Sequence, residues 1–232
     1  MKLAVMQPYI FPYLGYFQLI NAVNKFVIYD DVNFIKKGWI NRNNILLNAQ
    51  RDLFTIPLEN VSQNRLINET HISREVKWKT KLLKSLELAY KKAPRYSEVS
   101  PIILETIVAE HTSISNMATM SIKAVLKYLD VSTEVVSTSS QYGNSMLKGQ
   151  DRILDICKKE DADHYINLSG GMEIYSRDIF KKNGIALSFI KSLPICYKQF
   201  NNEFVSSLSI IDLLMFNPKD EVTFMLNQYE LL

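Results

Sequence analysis

The sequence predicts an α/β fold, organised as one domain over residues 1–232 with an inserted, mainly helical segment at about 74–129. Three observations carry the prediction. Short apolar runs bounded by turn residues alternate with stretches of helical periodicity. The N-terminal part reads as strand, loop, helix and strand, the parallel βαβ unit. At 232 residues and 47% hydrophobic composition, the chain can bury a core without disulfides or metals to hold it.

The elements follow in order. Lys2 to Met6 is an apolar run ended by Gln7-Pro8, a buried strand. Pro12 suits the first position of a helix, where its missing N–H costs nothing, and Tyr13, Tyr16, Phe17 and Ile20 carry helical spacing to about Asn21. Phe26 to Tyr29 is the second strand, closing in Asp30-Asp31. Trp39–Leu47 and Leu53–Leu58 form an antiparallel hairpin around a polar turn. Helical stretches follow at 74–92, 98–109 and 112–129, with Pro94 and Pro101 as punctuation. Thr133–Ser137 returns to strand, Gln150–Glu160 to helix, and His164–Leu168 to a strand ending in Ser169-Gly170-Gly171. A helix near 176–182, a strand at Ile185–Ile190 and two helices in the tail complete the chain.

Composition excludes several classes. A net charge of +3 is too mild to argue for nucleic acid, and apolar runs fall short of the roughly 20 residues a membrane-spanning helix needs. The N-terminal residues lack the apolar stretch of a signal peptide, so a cytoplasmic protein with Cys157 and Cys196 reduced is expected. The three histidines show no metal-ligand spacing, and GxGxxG, GxxxxGK[ST] and GxSxG are absent. No metal and no tightly bound cofactor are expected.

Ligands of open α/β sheets bind beyond the carboxyl ends of the strands, which places Gln7–Tyr13 and Asp30–Asn33 side by side on the functional edge. The loop Gln7-Pro8-Tyr9-Ile10-Phe11-Pro12-Tyr13 is stiffened by prolines, and its aromatics offer flat faces to a base or sugar, or else pack a helix start. Asp30 and Asp31 point to opposite sides of a strand end, so one can serve as general base or amine ligand while the other caps a loop. On a strand, Asn41 and Asn43 share a face with Trp39, a polar pocket over an aromatic floor, while Arg42 points away. Residues 74–95 hold a local excess of six positive charges, suited to phosphates or an acidic partner as well as to a solvated face. Ser169-Gly170-Gly171 can present backbone N–H groups to an anion, with Tyr175 nearby.

These strings together resemble the WbqC-like family of bacterial proteins found with surface-polysaccharide (O-antigen, lipopolysaccharide) genes. The resemblance rests on Met6-Gln7-Pro8-Tyr9, Phe11 to Phe17, Asp30-Asp31-Val32, Trp39 to Asn43, Ile153 to Cys157, Ser169-Gly170-Gly171, Pro194 with Tyr197, and Leu208 to Leu214. It implies a transferase that N-acylates a nucleotide-linked amino sugar, by glycyl or aminoacyl transfer. The alternative is a non-catalytic nucleotide-sugar-binding or scaffold protein. On the transferase reading Asp30, Asp31, Asn41 and Asn43 are the catalytic candidates. Gln7, Tyr9, Tyr13, Trp39, Arg42, Ser169, Gly170, Gly171 and Tyr175 are the substrate-binding ones. The activated acyl donor is an acyl carrier protein thioester or ATP with an amino acid. A metal-dependent glycosyltransferase would want a DxD strand end, which Asp30-Asp31-Val32-Asn33 does not supply.

Overall fold

The structure, a computed structural model, describes residues 1–201 and 203–232. Its elements in chain order begin with β1 (Lys2–Met6), α1 (Leu14–Asn21), β2 (Lys25–Ile28), β3 (Arg42–Leu47) and β4 (Gln50–Thr55). Three helices follow, α2 (Lys77–Tyr90), α3 (Tyr96–Val108) and α4 (Ile114–Tyr128), and then β5 (Glu134–Val136) and α5 (Gly149–Lys159). The chain continues through β6 (His164–Leu168), α6 (Arg177–Lys182), β7 (Ala186–Ser192), α7 (Ile210–Phe216), α8 (Lys219–Met225) and β8 (Tyr229–Leu231).

Six strands form one sheet in the order β5-β2-β1-β6-β7-β8, parallel except for β8 at the edge. Side chains alternate across a strand, so β1 serves two cores. Ala4 packs with Phe26, Ile28 and Ile166 against α1, α4 and α7. Leu3 and Val5 pack with Val27, Tyr165 and Phe189 against α5 and α6. Helices on both faces explain why the sheet strands read as unbroken apolar runs. Among the described residues no helix is long and apolar enough to cross a membrane.

Several boundaries differ from expectation. Helix α1 starts at Leu14 with Tyr13 as its N-cap residue, because Phe11 turns into the left-handed region (φ 41°) and the Pro12 carbonyl is taken by the Ile210 N–H at 2.9 Å. Strand β3 starts at Arg42, so Trp39 and Asn41 lie in the turn before it and share no strand face with Asn43. A left-handed Lys37 (φ 61°) bends the chain there. Pro101 lies inside α3. The last residues form β8, a strand too short to show a period in sequence.

The hairpin turn is tighter than the polar stretch suggested. Leu47 pairs with Gln50, leaving Asn48 and Ala49 as the two turn residues at φ 51° and 60°. Positive φ at both central residues is the hairpin turn that matches strand twist, and it favours Asn-Gly. Asn48 fits; Ala49 carries a Cβ that costs about 1–2 kcal/mol in this region. Ala49→Gly is therefore expected to stabilise the protein by about 0.5–1 kcal/mol after glycine's greater chain entropy is offset. Denaturant unfolding checks this; a lower midpoint for the variant would contradict it.

Candidate active site

Strand order reverses between β1 and β6. The chain leaves β1 toward β2 and leaves β6 toward β7, so the loops at the two carboxyl ends diverge and leave a crevice. A cavity of about 680 Å³ lies in that crevice. The β1–α1 loop contributes Gln7, Tyr9 and Tyr13. The end of β6 contributes Asn167 and the tight turn Ser169-Gly170-Gly171, followed by Tyr175. Trp39 reaches the rim from the turn before β3, Tyr29 from the end of β2, and Lys191 and Ser192 from the end of β7.

The N-terminal loop is held in place by buried hydrogen bonds. Phe11, at a φ few non-glycine residues adopt, donates its N–H to Ser121 Oγ at 3.0 Å. Its carbonyl accepts from Asn43 Nδ2 and Ser209 Oγ, both at 2.7 Å. Such conformations persist where the surroundings over-determine them. The Tyr16 hydroxyl, in the core, donates to the Gln7 carbonyl at 2.9 Å, and its ring lies 5.6 Å from that of Tyr9. On the opposite wall, Tyr175 packs edge-on against Tyr165 and Phe180. Position 171 is tight for a side chain: a Cβ would lie 3.0 Å from Asn167 Nδ2 and 3.2 Å from the Tyr175 ring. A Cβ on Gly170 would meet no atom within 4 Å, so the glycine at this cleft-lining position has no packing cause.

The electrostatics of the cleft are simple. Among the described residues that line it there is no Asp or Glu, and Lys191 is the one charged side chain. Burial pushes the Tyr9, Tyr29 and Tyr175 phenols up, and pushes Tyr13 up to about 12, so all four remain hydrogen-bond donors at neutral pH. The Gln7 side-chain amide has no partner among the described residues and is available to a ligand.

The family model of the WbqC-like protein family matches residues 7–224, which takes in the cleft's lining residues from Gln7 onward. The chain belongs to that family. It is 28% identical over 220 residues to an uncharacterized protein of Mycobacterium tuberculosis, Rv1507c, covering 92% of each chain. No solved structure matches it.

Within this WbqC-like fold the expected substrate-binding residues come together on the cleft, with the exception of Arg42. That side chain donates from Nε to the Gly38 carbonyl at 2.9 Å and from Nη2 to the Lys37 carbonyl, and lies 5.7 Å over the Trp39 ring. It stiffens the turn that presents Trp39. The basic stretch at 74–95 is also elsewhere: Lys84, Lys91 and Lys92 border a separate groove beside the hairpin turn.

The expected catalytic residues lie behind the cleft walls. Asp30, 3% exposed, accepts from Ser115 Oγ and Thr138 Oγ1, both at 2.7 Å, and from the Ser139 N–H at 3.2 Å. Asp31 accepts from Ser139 Oγ and is ion-paired with Arg152 at 2.5 Å. Asn41 donates to the Ile56 carbonyl at 2.8 Å, and Asn43 to the carbonyls of Ile10 and Phe11. All four side chains tie loops together.

Sequence reasoning missed Tyr29, Asn167, Lys191, Ser192 and, behind Tyr29, Arg152. The Arg152 guanidinium lies 4.9 Å over the Tyr29 ring. Two signals pointed to the site. Asn167 is a poor strand former inside an apolar strand, and Arg152 stands one turn before Ile156 on the inward stripe of α5.

A second buried carboxylate fixes the C-terminal part. Asp212 is fully buried and accepts from Tyr90 at 3.0 Å and from Tyr197 and Gln199, both at 2.7 Å. Burial raises its pKa above the ordinary carboxylate value of 3.8, against the lowering effect of those three donors. A raised folded-state pKa gives stability that is present below the unfolded value and lost as pH rises through the folded one. The wild type should therefore lose stability relative to Asp212→Asn as pH rises from about 4 toward neutrality. Denaturant unfolding of both proteins across that range checks this, and an opposite slope would contradict it.

Proposed function

We propose that this WbqC-like protein binds a nucleotide-linked amino sugar in the β1/β6 cleft and transfers an acyl group to the sugar amine, as a transferase of bacterial surface-glycan biosynthesis. The observation that carries the reading is the composition of the cleft: Tyr9, Tyr13, Tyr29, Trp39 and Tyr175 around a cavity whose described lining has no carboxylate, at the switch point where open α/β sheets bind their ligands. Trp39 and the tyrosines offer faces to the base and sugar, and the Ser169-Gly170-Gly171 turn with Lys191 suits the diphosphate.

The chemistry follows from the same walls. The amine nitrogen attacks the acyl carbonyl carbon of a thioester donor. The C–N bond forms, the C–S bond breaks, and the departing thiolate takes up the proton that the amine loses. The amine must enter uncharged. A cleft with no carboxylate and one lysine gives an ammonium no partner and lowers its pKa. Gln7 and the protonated phenols are the donors on hand for the oxyanion.

A single assay tests the reading: incubate the protein with nucleotide-linked amino sugars and glycyl or acyl thioesters, and detect the N-acylated sugar by mass spectrometry. Asp30→Asn and Asp31→Asn belong in it. If either carboxylate is the base, its variant binds ligand without turnover; their positions predict reduced stability with turnover per folded molecule preserved. The same lack of a carboxylate favours a second reading, a nucleotide-sugar-binding protein without catalysis, which predicts binding and no product with any donor.

A further inference from the structure

A second cavity, of about 260 Å³, adjoins the cleft, and Tyr13 and Ser192 line both. The partition is close-packed because position 15 is glycine: a Cβ there would lie 2.7 Å from the Tyr13 ring and 3.0 Å from Ser192 Oγ. Beyond the partition the walls are mainly apolar, from residues such as Leu193, Ile195, Phe204 and Leu213, with Ser206, Ser207 and Ser209 among them. Among the described residues that line this cavity there is no Asp, Glu, Lys, Arg or His. Two of its polar side chains are already committed. Ser192 donates to Gln18 Oε1 at 2.6 Å, and the Tyr197 hydroxyl donates to Asp212 at 2.7 Å.

We propose that this cavity receives an uncharged aliphatic acyl group, whose carbonyl sits at the Tyr13–Ser192 partition and whose acceptor amine lies in the cleft. The assignment rests on the transferase reading and narrows its donor. A glycyl group carries an ammonium, and burying a charge without a counter-charge is strongly unfavourable; the described walls supply hydroxyls but no carboxylate. At the ~30 Å³ that one water occupies in the liquid, the cavity holds about eight non-hydrogen atoms, the size of a short straight acyl chain. The step is the one written above, with a thioester as donor and a thiol as leaving group.

The experiment is calorimetric titration of the full chain with N-acetylcysteamine thioesters of acetyl, butyryl, hexanoyl and glycyl groups. Each added methylene is expected to tighten binding about fourfold up to hexanoyl, with the glycyl thioester no tighter than the acetyl one. Ile195 is half-buried on the wall. Ile195→Trp should flatten the series, and Ile195→Ala should move the optimum to a longer chain, which keeps the test decisive if the tryptophan variant does not fold. A flat wild-type series, or a glycyl thioester that binds tightest, would overturn the assignment. Failure of the two readings is distinguishable. Chain-length-dependent binding without transfer to any sugar amine sustains the acyl cavity and removes the transferase. Glycyl transfer without aliphatic binding does the reverse.

Discussion

Arg152→Ala is expected to lower the unfolding free energy by about 3–5 kcal/mol, the cost of leaving a buried carboxylate without its cation. The Arg152 side chain is 3% exposed and that of Asp31 9%. Besides its ion pair, Arg152 donates to Asn144 Oδ1 at 2.9 Å and to the Asp31 carbonyl at 3.3 Å, and Asn144 in turn donates to Asp155 at 2.7 Å. The truncation therefore leaves three acceptors short of a donor and removes the cation over Tyr29. Thermal unfolding should show a melting temperature lower by about 10 °C. Replacing both partners by apolar residues, Asp31→Leu with Arg152→Met, should cost less than Arg152→Ala alone, because no charge is then stranded. A single variant that melts like the wild type would show the pair to be unimportant for the fold.

The second large effect concerns the cleft. Trp39 is 44% exposed, so Trp39→Ala should leave the melting temperature nearly unchanged. Loss of one stacking face is worth about 1–3 kcal/mol, which weakens nucleotide-sugar binding roughly 10- to 100-fold. Gly170→Leu is the complementary change. A Cβ at this cleft-lining position meets no atom within 4 Å, so a leucine there is expected to crowd the ligand, and binding should fall at least as far while the fold is retained. Gly171→Leu, by contrast, should destabilise, because Asn167 and the Tyr175 ring already crowd that position. If Gly170→Leu binds as the wild type does, the ligand lies elsewhere.

The fold class, the βαβ opening and the hairpin could be read from the sequence because they rest on local pattern. Strand β6 was bounded correctly at His164–Leu168, where an apolar run stops at a Ser-Gly-Gly turn. The neighbour of β1 could not be read. The sequence places Asp30-Asp31 beside the N-terminal loop, and the parallel pairing of β1 with β2 agrees. The cleft nonetheless opens toward β6, because strand order is a long-range property that no local period encodes. The spacing places Trp39 on a strand face as a pocket floor, whereas it lies in the turn before β3, since nothing local announces the left-handed Lys37. The carboxylates drew attention as polar residues at an apolar strand end. Their work is to accept hydrogen bonds from Ser115, Thr138, Ser139 and Arg152, residues 85 to 121 positions away in the chain.

On the proposed function, the β1/β6 cleft holds a nucleotide-linked amino sugar. Calorimetric titration of the wild type and of Gly170→Leu with a panel of such sugars tests it most directly. The wild type should bind at least one member, and the leucine variant should lose that binding while melting at the same temperature. Binding that survives the leucine unchanged, or a wild type that binds no member of the panel, would contradict it.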